Sequence, residues 1–191
     1  MAELSPSAML PLDYEDAVER FYVPLYRFAL SLARNEDDAC DLVQQTFVVL
    51  LTKGHQLRDP SKLKTWLFTT IFREFTASRR RSFRFSRQPL DEGSAEGPSI
   101  PPSVFDALDA KNVLNALHQV DEVFRAPLSL FYLEDHSYKE IAEILDVPIG
   151  TVMSRIARGK KQIRSALALE SAEQASKIVR FSPSEERGRY G

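Results

Sequence analysis

The chain has 191 residues, 43% hydrophobic and 27% charged, with a net charge of −2. This is the composition of one large or two small globular domains and excludes a disordered chain, a collagen-like fibre and a coiled-coil rod. No apolar run approaches the roughly 18 to 20 residues of a membrane span, residues 1–11 lack the basic flank and apolar core of a secretory signal, and Cys40 with three scattered histidines offers neither an internal disulfide nor a metal-ligand spacing; a cytoplasmic protein with no membrane insertion, metal or cofactor is expected.

Helices are predicted throughout, giving an all-α fold. Phe21, Leu25, Phe28, Ala29 and Leu32 recur at steps of three and four and form one apolar stripe. Asn35 is placed to cap a second helix, with Glu36, Asp37 and Asp38 at its positive end and Ala39, Leu42, Val43, Phe47 and Leu50 as its stripe. Gly54 is the expected stop, and Asp59-Pro60-Ser61 a turn. A third helix is predicted from about Leu63 to Arg81, with Leu63, Trp66, Leu67, Thr70, Ile71 and Phe75 on its apolar side. Pro89 to Ser103 is rich in Pro, Gly and acids, cannot bury enough apolar surface to offset its ordering entropy, and reads as a flexible acidic linker. The predicted organisation is an extension 1–11, a first domain 12–88, a linker 89–103, a second domain 104–169 and a disordered tail 170–191.

In the second domain, Val104, Leu108, Val113, Leu114 and Leu117 mark one helix. Val123 to Leu133 marks another, which Pro127 should bend or delay. Ser137 to Glu140 is a capping box opening a short helix, Asp146-Val147-Pro148 is a turn, and a last helix is predicted from Ile149 to Leu169. This is a helix-turn-helix pattern. Val152, Ile156, Gly159, Ile163 and Leu167 share one face of the last helix, and Gly159 there permits close helix approach; Thr151, Ser154, Arg155, Arg158, Lys161 and Gln162 share the other. A basic helix face suits the DNA major groove, although it is also what an ordinary solvated surface helix presents.

Charge falls in alternating blocks. Asp13 to Asp41 holds eight acids and three Arg; Arg73 to Arg87 holds six Arg and one acid; Pro89 to Val123 holds seven acids and one Lys; Ile149 to Leu169 holds five bases and no acid. Solubility does not require such clustering, and two basic blocks in a balanced chain favour a nucleic-acid partner. No nucleophile–base pair, phosphate-cradling glycine loop or ligand cluster appears, so no catalytic residues are assigned and an enzyme with a DNA-binding appendage is disfavoured. A helix-turn-helix repressor or activator acting on duplex DNA alone stays open.

The run Tyr138 to Lys160, with its Glu-Ile-Ala core, Gly-Thr-Val helix start and Ser154-Arg155-x-x-Arg158-Gly159 segment, resembles region 4 of bacterial extracytoplasmic-function (ECF) sigma factors. Asp37 to Phe47 resembles the region-2 helix by which those factors bind the polymerase clamp, and Thr65-Trp66-Leu67-Phe68 with its Arg-rich helix end resembles their promoter-melting segment. The resemblance covers residues 12–168. It implies a non-enzymatic factor with core RNA polymerase and promoter DNA as partners, and an anti-sigma factor as a further one. Polymerase would meet Asp38, Asp41, Leu42, Gln44, Gln45 and Phe47. The minus-ten element would meet Trp66, Phe68, Arg73, Arg79, Arg80 and Arg81. The minus-thirty-five element would meet Thr151, Met153, Ser154, Arg155, Arg158, Lys160, Lys161 and Arg164, with at least one of Arg155 and Arg158 reading bases and the last three chiefly holding phosphate.

Residue chemistry leaves some of these roles open. Asp38 and Asp41 also complement a helix dipole, and Trp66, which like Phe68 offers a flat face for stacking, also lies on the apolar stripe. Arg79 to Arg81, Arg84 and Arg87, with Phe83 and Phe85 interleaved, suit phosphate contact or a solvated helix end. Cys40 reads as a small buried hydrophobe, and His55, His118 and His136 as surface or satisfied polar residues. The chain departs from the family at Thr69 and Arg73, where Arg and Asn are usual, and at Val120-Asp121, which keeps a capping acid but lacks the family's proline.

Overall fold

A computed structural model describes residues 13–85 and 114–179, with side chains over 13–81 and 114–165. The expected extension, the linker 89–103, the start of the second domain and residues 180–191 lie outside the described residues, as do Arg87 and the side chains of Phe83, Arg84 and Phe85. The described residues are helical, with no strand among them.

Helix α1 spans Tyr14–Ala33; Asp13 caps it by accepting a 3.1 Å hydrogen bond from the Asp16 N–H. It ends at Arg34, a non-glycine residue at φ 68° whose N–H reaches Leu30 O. Helix α2, Glu36–Lys53, is capped by Asn35 as expected, with Oδ1 accepting from Asp38 N at 2.8 Å. Gly54 closes α2, but at a right-handed φ of −58°, so it stops the helix by leading into a short 3₁₀ turn rather than by left-handed freedom. A second 3₁₀ turn, Pro60–Lys62, leads into α3, Leu63–Phe85. All five predicted stripe residues of α1 are buried, against Ala39, Leu42, Val43 and Leu50 of α2 and Leu63, Leu67, Ile71 and Phe75 of α3.

After a helical stretch at 114–118, α4 spans Glu122–Tyr132 with Pro127 inside it. The ring removes one backbone donor but does not delay the helix. Helix α5, Tyr138–Leu145, opens with the predicted capping box: Ser137 and Glu140 exchange side-chain-to-backbone bonds. Asp146 turns the chain at φ 52°, and α6 begins at Ile149. Helix α6 continues to Val179, beyond the expected end at Leu169, so 170–179 is helical rather than disordered. That segment has no apolar stripe, but its Ala, Glu, Gln and Lys are good helix formers.

The two helical units are not separate bodies. Helix α4 packs on α1 and α5 packs on α3. Their contact holds five of the buried polar residues, Ser31, Arg125, Ser129, Glu134 and His136.

Candidate functional site

Helix α2 turns Asp38, Asp41, Gln44, Gln45 and Val48 outward while Ala39, Leu42, Val43 and Thr46 are buried. The outward residues lie three to four apart, one side of a helix. Val48 and Leu51 are large apolar side chains left exposed on the same helix. Leu42 and Phe47 were expected on the same surface. Leu42 is almost wholly buried and only borders it, and Phe47 is half-buried against the core, so both position α2 more than they display it. Asp38 does serve its own helix end, accepting from Asn35 Nδ2 at 2.7 Å. This surface forms one wall of a cleft of about 1210 Å³, which also takes in Arg79 and Arg81 of α3 and Asp121 and Glu122 at the start of α4.

On α3, Arg73, Arg79, Arg80 and Arg81 are exposed and Trp66 is half-buried against the core. Arg79 is ion-paired with Glu122 and lies 5.8 Å from the Phe75 ring centroid. Phe68 corrects the sequence reading. It is 0% exposed, with Phe28 at 5.4 Å on one side and the His136 ring edge-on at 4.8 Å on the other, so in this arrangement it offers no face to a base. The motif position was read as exposed because the covering residue, His136, lies far away in the chain. Thr69, a departure from the family, donates its hydroxyl to Thr65 O at 2.7 Å.

Helix α6 buries Val152, Ile156 and Gly159. A Cβ on Gly159 would stand 2.5 Å from Leu128 Cδ1 and 3.0 Å from Phe124 Cβ, so the expected close approach of α6 to α4 is real. Met153, Ser154, Arg158, Lys160, Lys161 and Arg164 are exposed; Met153, an apolar side chain, is 52% exposed. Thr151 and Arg155 are half-buried, and Arg155 borders a second, apolar cleft with Phe72 and Phe75 of α3. Lys160 Nζ lies 5.8 Å from the Tyr132 ring centroid. Gln162, placed on the outward face by the sequence, accepts from Asp121 N at 3.0 Å and donates to Asp121 Oδ2 at 2.6 Å. Asp121 sits at the N-cap of α4 but makes no side-chain cap bond of its own; Gln162 ties it to α6.

The groups that sequence reasoning missed lie where the units meet. Glu134 is 4% exposed; its carboxylate accepts from Arg27 at 3.2 and 3.3 Å, and Lys64 donates to its main-chain oxygen. Burial raises its carboxyl to about 7 against the pull of Arg27 and Lys64. His136 was read as surface or satisfied. It is 2% exposed, and neither ring nitrogen has a hydrogen-bond partner. Burial, and after it the Lys64 charge, push its pKa down to about 4, so the ring is neutral and its 4.0 Å approach to Glu140 is not an ion pair. Arg125, 3% exposed, donates to Leu117 O and Val120 O and, at 3.5 Å, to Leu32 O of α1. Cys40 is half-buried against the core, and burial raises its thiol pKa. Among the described residues no cluster of His, Cys, Asp or Glu is arranged to hold a metal, and no helix is long and apolar enough to cross a membrane.

Two family profiles match the two units. Residues 17–84 match "Sigma-70 region 2" and residues 110–163 match "Sigma-70, region 4", which defines a transcription factor of the sigma-70 class. The chain is 33% identical over 166 residues to the ECF RNA polymerase sigma factor SigE of Mycolicibacterium smegmatis, covering 85% of this chain and 64% of SigE, less than two thirds of that relative's length. It is 32% identical over 152 residues to the ECF RNA polymerase sigma factor EcfG of Rhodopseudomonas palustris, covering 79% of this chain and 83% of EcfG. Among solved structures, the sigma factor RpoE in complex with the anti-sigma factor NepR from Bartonella quintana matches with a TM-score of 0.64 at 30% identity, over 81% of this chain and 98% of RpoE. CnrH in complex with the cytosolic domain of CnrY matches with a TM-score of 0.56 at 25% identity, over 82% and 88%. The chain belongs to the ECF sigma factor family: initiation factors, not enzymes, that direct RNA polymerase to promoters.

Proposed function

We propose that this chain holds core RNA polymerase through the outward face of α2 and reads promoter DNA with α3 and α6. The polymerase face is Asp38, Asp41, Gln44 and Gln45, with Leu42 and Phe47 beneath. Arg73, Arg79, Arg80 and Arg81, with Trp66, attend the minus-ten element. On α6, which follows the turn of a helix-turn-helix, Arg155 and Arg158 read base edges in the major groove. Thr151, Met153 and Ser154 lie beside them, and Lys160, Lys161 and Arg164 hold phosphate. The observation that carries this reading is the division of α6: Val152, Ile156 and Gly159 are packed inward while Arg158, Lys160, Lys161 and Arg164 stand in solvent with no carboxylate on the same stretch of helix. A helix so divided is held rigidly and presents charge to an anion, which is what a groove-reading helix requires. A factor working on core polymerase acts in the cytoplasm. Because RpoE is described in complex with an anti-sigma factor, an inhibitory protein partner is proposed for this chain too.

Reconstitution tests the reading. Core polymerase with the purified chain should yield transcripts from specific promoters that core polymerase alone does not make. A chain that binds a palindromic duplex without polymerase, and adds no transcripts with it, is a repressor or activator instead.

A further inference from the structure

The outward side of α6 is not uniformly charged. Ile149, Met153 and Ala157 are all exposed and stand four residues apart, so they line up along one side of the helix. Ile149 is 50% and Met153 52% exposed, and neither packs against the core. Among the described residues no other element comes within 4 Å of a Cβ built on Gly150, so this end of α6 is open to solvent. Core packing therefore does not account for Met153.

What surrounds the strip narrows what it can meet. Arg158, Lys160, Lys161 and Arg164 stand exposed beside it, and no acid occurs from Ile149 to Leu169. Three side chains fall far short of the roughly 800 Å² per partner that a stable protein interface buries. A polyanion with small apolar points fits both features. The major groove of DNA is such a surface: phosphates line its edges, and the C5 methyl of thymine is the apolar group that base edges present there. A helix in that groove turns its N-terminal residues to the bases, and Met153 is the fifth residue of α6. Its unbranched thioether side chain is long and adaptable enough to settle on a methyl group.

Resting on the sigma-factor reading above, we infer that Met153 is a specificity-determining residue: with Ile149 and Ala157 flanking it, its side chain packs on the C5 methyl of a thymine in the minus-thirty-five element, so the factor selects an A·T pair there by apolar contact and not by hydrogen bonding. Met153 precedes Arg158 by five residues, about 7.5 Å along the helix and about two base-pair steps, which places the thymine within about three base pairs of the base that Arg158 reads.

Deoxyuridine tests this, because it differs from thymidine by that methyl group alone. Full-length chain and core polymerase are assembled on a promoter located from the 5′ ends of the chain's own transcripts, and each thymine of the upstream element, on either strand, is replaced by uracil in turn. At one position the wild-type holoenzyme should bind uracil about fourfold more weakly than thymine, the worth of one buried methyl group. Met153→Ala should bind the two duplexes alike, and Met153→Leu, apolar and of similar size, should restore the preference. Each variant is judged by its own thymine-to-uracil ratio, so a general loss of affinity or stability cancels. Wild-type indifference to uracil at every position, an upstream element without an A·T pair, or a Met153→Ala chain that keeps the wild-type ratio overturns the inference and leaves the strip to a protein contact. Absence of promoter-directed transcripts would strike at the sigma-factor reading and at this inference with it; transcripts without uracil sensitivity strike at Met153 alone.

Discussion

Gly159 shows how much a single missing side chain decides. Its backbone lies against Leu128 and Phe124, and a Cβ there overlaps Leu128 Cδ1 at 2.5 Å. Gly159→Ala should therefore destabilise the chain by about 1–3 kcal/mol despite alanine's better helix propensity, read as a lowered urea midpoint. An unchanged or raised midpoint would mean that α6 is not clamped on α4. Two other residues set the acid response. His136 falls from its ordinary 6.5 to about 4 on burial, so it favours the folded state above pH 6.5 and that contribution is lost as pH falls toward 4. Glu134 rises from 4.5 to about 7, so its contribution is present below pH 4.5 and is lost as pH rises toward 7. Between pH 4.5 and 6.5 the two oppose each other. His136→Phe, against Phe68, should leave stability falling with rising pH across that window relative to wild type, and Glu134→Gln should leave it rising. Parallel urea-midpoint profiles for all three chains would show that neither group titrates as the burial implies.

At the scale of elements, local rules carried the sequence reading well. The α1 stripe, the Asn35 cap and the Ser137–Glu140 box all rest on residues within four positions of each other, and all are present. Ser137→Ala removes the hydroxyl half of that box, leaving the N–H of residue 137 bonded to Glu140, and should cost about 1 kcal/mol, measured by thermal unfolding of the full chain. No loss would show that α5 is held by packing alone. The α2 surface was legible by the same periodicity, except that Leu42 and Phe47 fall on its buried flank. Asp41→Lys with Gln45→Lys should weaken co-elution with core polymerase at least tenfold at unchanged helicity, since both side chains are exposed and support no core contact. Retained co-elution removes α2 from the polymerase interface. The length of α6 was misjudged because an apolar stripe was required of it, whereas 170–179 continues on propensity alone.

At the scale of the molecule, the contacts that join the two units were not legible. Ser31 meets Ser129 across 98 positions, and Arg27 meets Glu134 across 107. No spacing rule reaches that far, and each residue taken locally is an unremarked polar side chain on a helix or turn. The same distance hid the fate of Phe68. Family resemblance supplied the order of the parts, region 2 before region 4, but nothing in it spoke of Glu122, Arg125 or His136. Joined to the fold, it gives a chain whose polymerase face and DNA helices are present in one compact body. The most direct measurement is to map transcript 5′ ends made by core polymerase on a library of host genomic fragments, with and without the chain. The account predicts new 5′ ends clustered downstream of one shared pair of sequence elements, with Arg158→Ala relaxing base preference at a single position of the upstream element. A distribution of 5′ ends identical to that of core polymerase alone would contradict it.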